Sequence, residues 1–356
     1  MEKLTIALAG YGSIGRIHQL AWSDIKYIYP GKTPELYLKG LCRSTPESAA
    51  ETAVQAGLDR GYRDFDDILA DPEVDIVDLV TPNSLHKEQI LKALNAGKHV
   101  LCEKPLAMNA AEAAEIEEAA RNSDRKAGMI FNYRFIPAML KARELVEEGK
   151  IGEIYSFRGE YLHTGYQNPE RPYSWRMDFE QSGGGALADL GSHVIDLVRY
   201  LLGDFKSVRA HLETYIEERP LPGGRGTGKV TVDDAAWLHC ELKSGAPGTI
   251  EVSRFATGTL DDLNLTVYGS RGAFSFRLMD PGFLNYFDEG NKGAGWSRLE
   301  TLQHYPDAII PAPRSVIGWT RFHTENQYRF VRSIMENKPF SPSLNDGAAV
   351  QYVLDA

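Results

Sequence analysis

The stretch Gly10-Tyr11-Gly12-Ser13-Ile14-Gly15 constrains the fold more than any other part of this chain. It stands directly after a short apolar run, Leu4–Ala9, and opens an apolar-periodic segment, Ile14–Ile25. A strand that ends in Gly-x-Gly-x-x-Gly and restarts as a helix reads as the first βα unit of a parallel sheet. The glycines allow a tight turn and a close approach of ligand to backbone. The helix that follows aims its positive end and its unbonded N–H groups at the same point, which suits a pyrophosphate. Gly10, Tyr11, Gly12, Ser13 and Ile14 are therefore expected to hold a dinucleotide.

The same alternation continues as far as Asn132. Strands are expected at Leu36–Cys42, Ile76–Val80, His99–Cys102 and Ala127–Phe131. Helices are expected at Pro46–Ala56, Phe65–Leu69, His86–Asn95 and Ala110–Asn122. This pattern gives an α/β fold, a doubly wound parallel sheet with helices on both faces. After Pro137 the pattern changes: a helix, Ala138–Glu148, precedes an alternating strand, Ile154–Tyr161. Beyond Val208, the runs Ala235–Leu242, Gly248–Arg254, Leu263–Tyr268 and Ala273–Arg277 read as consecutive antiparallel strands. Loops interrupt at 220–228 and 290–296, and helices at Thr324–Glu336 and Asp346–Leu354 close the chain. Two domains follow, 1–132 and 133–356, as 356 residues suggest.

Charge and composition exclude some partners. The net charge is −10 and no dense Lys/Arg block stands out, so no nucleic-acid partner is expected. No apolar run reaches the roughly 20 residues of a membrane helix, so no membrane partner is expected either. Cys42, Cys102 and Cys240 are too few and too far apart for a disulfide framework or a zinc site. With no cleavable signal ahead of the first strand, a cytoplasmic protein without a metal is expected.

Loops at the carboxyl ends of parallel strands line the ligand crevice. One is Thr81-Pro82-Asn83 with His86, where Pro82 stiffens the loop and Asn83 and His86 offer polar contacts or, for His86, a surface helix start. Another is Cys102-Glu103-Lys104-Pro105, whose Lys104 ammonium suits a developing alkoxide. At the end of the second strand, where an NAD site usually carries an acid, stand Cys42-Arg43-Ser44. Arg43 and Ser44 suit a 2′-phosphate, which favours NADP over NAD.

Gly183-Gly184-Gly185 leads to Asp189 and His193, four residues apart and so on one face of a helix. A carboxylate and an imidazole so placed beside a flexible glycine run suit proton chemistry on a bound hydroxyl. An N-capping Asp and a hydrogen-bonded core His would read the same way.

In order, the motifs are Gly10–Gly15, Thr81–His86, Gly97-Lys98-His99-Val100 before Glu103-Lys104-Pro105, Asn132-Tyr133-Arg134-Phe135, and Gly185–His193. Together they resemble the glucose–fructose oxidoreductase/inositol dehydrogenase (Gfo/Idh/MocA) family over nearly the whole chain. Within it, Phe157–Leu162, Ser174-Trp175-Arg176 and Glu218-Arg219-Pro220-Leu221 are most similar to the levoglucosan dehydrogenase type. The resemblance implies an N-terminal Rossmann domain and a C-terminal α/β domain with a large, mainly antiparallel open sheet. It implies an NAD(P)-dependent oxidoreductase acting on a secondary hydroxyl or ketone of a sugar, anhydrosugar or cyclitol. Lys104, Asp189 and His193 would be catalytic, with Lys104 contacting both the nicotinamide ribose and the substrate hydroxyl. Trp175 and Arg176 would line the substrate pocket with them, and Glu103 and Asn132 would lie near the cofactor. A homodimer or homotetramer is implied, built on one face of the open sheet. Two other readings are a glycoside hydrolase that uses retained NAD for transient oxidation and a non-catalytic dinucleotide sensor. The intact Lys104, Asp189 and His193 argue against the sensor.

Overall fold

The computed structural model describes residues 2–291, 293, 295–302 and 305–356. Lys292 and Ala294 of the expected 290–296 loop lie outside the described residues. The chain runs β1 (Lys3–Ala9), α1 (Ser13–Ile28), β2 (Glu35–Cys42), α2 (Pro46–Ala56), β3 (Arg60–Tyr62), α3 (Phe65–Leu69), β4 (Ile76–Leu79), α4 (His86–Asn95), β5 (His99–Cys102), α5 (Ala110–Arg121) and β6 (Ala127–Met129). It continues through α6 (Pro137–Glu147), β7 (Ile154–Leu162), α7 (Phe179–Ser182), a π-helical turn (Leu187–Gly191) and α8 (Ser192–Leu202). Then come β8 (Phe205–Glu213), β9 (Glu218–Pro220), β10 (Thr227–Lys229), β11 (Ala235–Leu242), β12 (Pro247–Ser253), β13 (Asp262–Gly269), β14 (Gly272–Arg277), β15 (Phe283–Asp288) and β16 (Ser297–Glu300). The last helices are α9 (Trp319–Met335) and α10 (Leu344–Leu354).

Two compact units form. Unit 1 gathers 1–132, 305–312 and 317–351; unit 2 gathers 133–304, 313–316 and 352–356. In unit 1 the described strands make a six-stranded parallel sheet in the order β3-β2-β1-β4-β5-β6. The chain moves outward one way from β1 to β3 and the other way from β4 to β6. The β1/β4 junction is thus the switch point, where such sheets bind ligands. The apolar faces of Leu4, Ile6, Ile76 and Leu101 pack with Trp22 and Ile25 of α1 and with Phe330, Val331 and Ile334 of α9.

The expected boundary at 132/133 does not hold for the end of the chain. Helix α9 presents an apolar stripe that joins the unit 1 core, and the Met129 N–H donates to Pro342 O at 2.9 Å, closing the edge of β6. An amphipathic helix announces a buried face but not the sheet that buries it. Strand β3, too short to show a period, also went unread in the sequence.

In unit 2 the described strands form an eight-stranded sheet, β16-β15-β14-β13-β7-β12-β11-β8. Consecutive antiparallel pairing holds except that β7 enters between β13 and β12 and runs parallel to β12. Burial alternates along β7, β11 and β13, so one face is packed and the other is open. Helix α8 lies on the packed face: a Cβ on Gly159 would run into Val194, so the bare glycine lets the helix approach. The expected loop at 220–228 instead carries the end of a two-stranded hairpin, β9 with β10. Among the described residues, no helix is long and apolar enough to cross a membrane.

Candidate functional site

The glycine turn has the three properties that a pyrophosphate seat requires. Gly10 sits at φ +92°, where a Cβ would come within 2.7 Å of Val80 O, and its N–H donates to Cys42 O at 3.1 Å. Gly12, the residue before α1, has open space around its Cβ direction. A Cβ on Gly15 would come within 3.3 Å of Gly10 O and 3.4 Å of the Val80 side chain, so the bare glycine lets the helix lie close to the strand end. Helix α1 has no side-chain cap and no acid in its first turn. Its first N–H groups and its dipole are left for an anion, which fits a dinucleotide. Tyr11 flanks the turn with its hydroxyl on Gln19; Ser13 and Ile14 start the helix.

Arg43 stands exposed just after β2 and donates from one guanidinium nitrogen to Thr52 of α2 at 2.8 Å. Ser44 beside it is exposed as well. After β4, Thr81 donates to Gln89 at 2.6 Å, Pro82 leads into a 3₁₀ turn, and Asn83 is buried within it. His86 is neither a surface residue nor open to a cofactor. It is fully buried, with Nδ1 2.9 Å from Pro105 O and Nε2 3.1 Å from Thr81 O. Burial lowers its pKa despite these carbonyls. The ring fastens the loop after β4 to the loop after β5, a distant partner that sequence spacing does not reveal.

Glu103 follows β5 and is buried, and its Oε2 accepts the Lys104 N–H at 3.1 Å; the Lys104–Pro105 peptide is cis. Beneath this turn lies a buried network absent from the sequence reading. His18 of α1 is fully buried, with Nδ1 2.9 Å from both Asp78 oxygens and Nε2 3.0 Å from Glu103 Oε1. Trp22 adds a 2.7 Å hydrogen bond to Asp78. Burial opposes a charge on His18, but Asp78 and Glu103 outweigh it and raise the ring to about 10. Burial likewise opposes a charged Glu103, but His18 above all, then His323 and Lys104, hold it at about 2. Asn132 donates to His323 Nε2 at 3.1 Å, and burial with the neighbouring His18 charge pushes His323 down to about 3. His18, Glu103 and His323 bring donor atoms within 4.8 Å of one another, a spacing a metal ion can use. Both His18 nitrogens are engaged by carboxylates and one His323 nitrogen by Asn132, so hydrogen bonds account for the cluster.

In unit 2, Asp233 rather than Asp189 caps the turn that carries the pair. Its two carboxylate oxygens accept the N–H groups of Gly185 at 2.8 Å and Leu187 at 2.7 Å, and its backbone oxygen accepts that of Ala186 at 2.9 Å. A Cβ on Gly185 would collide with that backbone oxygen. The captured N–H groups lead into the π-helical turn holding Asp189, and α8 follows with His193 in its first turn. Asp189 is 34% exposed; its Oδ2 accepts from Arg254 Nη2 at 3.0 Å, while Arg254 is fully buried and stacks over Tyr166 at 4.5 Å. His193 is 8% exposed and lies 4.5 Å, centroid to centroid, from the Tyr133 ring. Tyr133 and Tyr161 share a 2.8 Å hydroxyl bond, and Tyr161 donates to Asp261 at 2.7 Å. Burial holds the Tyr161 hydroxyl well above its usual range, so it stays a donor. Trp175 is half-buried in a 3₁₀ turn, with the exposed Arg176 guanidinium 4.4 Å over its ring. The guanidinium and the indole stack on each other. Asp233, Arg254 and Asp261 belong to no short motif, and Tyr133 and Tyr161 stand in motifs that assign them no role. A run of Tyr133-Arg134 beside Asn132 was the one available signal.

Two family models match the chain. One, described as "Oxidoreductase family, NAD-binding Rossmann fold", covers residues 4–131, and the other, "GFO/IDH/MocA C-terminal domain", covers 139–275. Levoglucosan dehydrogenase of Pseudarthrobacter phenanthrenivorans is 34% identical over 100% of this chain and 95% of its own length. Glucose-6-phosphate 3-dehydrogenase of Bacillus subtilis is 28% identical over 98% of this chain and 94% of its own. The solved structure of levoglucosan dehydrogenase in complex with NADH and levoglucosan aligns at a TM-score of 0.94 and 34% identity, over 99% of this chain and 95% of that one.

Proposed function

The chain belongs to the GFO/IDH/MocA family of NAD-binding oxidoreductases, and from that premise we propose that it is a dehydrogenase of sugars, anhydrosugars or cyclitols. It moves a hydride between a secondary carbinol carbon and a nicotinamide. The observation that carries this reading is the Asp189–His193 pair: a part-exposed carboxylate fixed by a buried arginine, one turn from an imidazole fixed by aromatic rings.

When bound, the dinucleotide supplies the hydride acceptor. Gly10, Tyr11, Gly12, Ser13 and Ile14 would seat its pyrophosphate at the open end of α1. Thr81, Pro82, Asn83, Glu103 and Asn132 would border the rest. Lys104 stabilises the developing alkoxide by charge. Asp189 orients the hydroxyl, and His193 removes its proton as the C–H bond gives up its hydride. As the alcohol becomes a ketone, His193 would take the proton and the bound nicotinamide would supply the acceptor for the hydride. Trp175 offers an indole face to the C–H face of a sugar ring, and Arg176 hydrogen bonds to its hydroxyls. On this reading Arg43 and Ser44 favour NADP, because their position carries no acid to hold the adenosine ribose of NAD. The open face of the unit 2 sheet would join copies into a homodimer or homotetramer.

Absorbance of reduced nicotinamide, with NAD and NADP in parallel against aldoses, anhydrosugars and inositols, tests this reading. Turnover with at least one member, faster with NADP, is expected. NAD-only turnover would overturn the role of Arg43, and retained cofactor with no turnover would overturn the dehydrogenase.

A further inference from the structure

The proposed chemistry leaves unexplained why two carboxylates are buried beneath the Lys104 turn. Burying a single carboxylate is costly, and two facing each other need a cation between them. His18 is placed to be that cation. A neutral imidazole carries one N–H, yet here each ring nitrogen faces a carboxylate, Asp78 at 2.9 Å and Glu103 at 3.0 Å. Both contacts are made as donors only when the ring carries both hydrogens. The groups facing it come from several elements: Asp78 on β4, Glu103 just after β5, and His323 on α9, whose ring lies 5.6 Å away, with the Lys104 charge acting on Glu103. Trp22 of α1 completes the Asp78 side. An apolar residue would fill this space at lower cost, so the charge points to a task beyond packing.

His18 lies on the helix whose N-terminus carries the glycine turn, and Glu103 precedes Lys104 and accepts its backbone N–H at 3.1 Å. We propose that His18 is a positioning residue: holding Asp78 with one ring nitrogen and Glu103 with the other, it ties the Lys104 turn to the dinucleotide-binding helix and so sets where Lys104 stands. This rests on the reading that Lys104 acts on the substrate hydroxyl. His18 touches neither substrate nor cofactor; it acts through Glu103.

The test combines steady-state kinetics of the full-length enzyme with dinucleotide binding measured separately. His18→Asn is expected to lower kcat by about 10- to 100-fold, as small misplacements of a reacting group do, with dinucleotide Kd within about 3-fold of the wild type. Adding Glu103→Gln, which removes the carboxylate left without its cation, should recover part of the loss. In a Lys104→Ala background, His18→Asn should change the residual turnover by less than about 3-fold, because both substitutions act through one group. An unchanged kcat in His18→Asn, or losses that multiply in the double variant, would overturn the proposal. Full turnover in Lys104→Ala alone would instead overturn the reading of Lys104. Should His18→Asn fail to fold, nitrogen NMR of histidine-labelled wild-type protein decides, with His18 assigned through Glu103→Gln. Two protonated ring nitrogens at neutral pH are expected, and a neutral His18 ring would overturn the clamp.

Discussion

At the scale of single residues, the candidate site is held by groups whose tasks the distances make plain. Gly185 is the sharpest case, since any side chain there meets the backbone oxygen of Asp233. Gly185→Ala should cost about 1–3 kcal/mol, the usual range for forcing an added methyl into packed structure. A denaturant midpoint equal to that of the wild type would refute this. The His18–Glu103 pair makes a prediction about pH. His18 rises from 6.5 to about 10 on folding, so its stabilisation is complete below pH 6.5 and is lost as pH climbs through 10. Glu103 falls from 4.5 to about 2, so its stabilisation is complete above pH 4.5 and is lost as pH drops through 2. Thermal midpoints should therefore decline on the alkaline side, and His18→Asn should flatten that limb. An equally steep limb in the variant would contradict the assignment.

Elements show what could and could not be read from the sequence. Strand β1, the glycine turn and α1 were legible because all their determinants lie within a short stretch with its own periodicity. Asp189 and His193 were legible for the same reason, but the turn between them is π-helical, a difference of one residue that no pattern carries. The residues that hold them were hidden by separation: Asp233 lies 46 residues from Leu187, and Arg254 lies 65 from Asp189. His86 was visible as a polar loop residue, yet its partner Pro105 is 19 residues away, so its burial was not. Asp233→Ala removes the cap from the turn that carries Asp189. It should cost about 1–2 kcal/mol, typical of a lost cap, and lower kcat while dinucleotide affinity stays unchanged. Wild-type kcat in a folded Asp233→Ala protein would show that the cap does not position the pair. The place of α9 is testable in the same spirit. A fragment ending at Asn132 leaves Trp22, Ile25 and Ile28 without Phe330, Val331 and Ile334, and it should show no cooperative unfolding. A fragment that melts cooperatively and binds dinucleotide would restore the boundary at 132/133.

For the molecule as a whole, each unit carries its own part of what the proposed hydride transfer would require. Unit 1 carries the uncapped start of α1 at the sheet switch point, and unit 2 carries Asp189 and His193 at the start of α8, beside the eight-stranded sheet. The open face of that sheet carries Arg158, Trp237, His239 and Tyr268, outward-facing in alternation with the buried residues. Sedimentation should find a dimer or tetramer, which Trp237→Asp weakens; a monomeric wild type would contradict that use of the face. The proposed hydride transfer is tested most directly by following the hydride itself. A turnover substrate deuterated at its secondary carbinol carbon would be incubated with the enzyme and oxidised dinucleotide, and the reduced nicotinamide examined for label by mass spectrometry. Deuterium should appear on the nicotinamide with the wild type and vanish with His193→Asn. Deuterium returned to a hydrolysed sugar, or label in the nicotinamide undiminished by that substitution, would contradict the roles assigned to this chain.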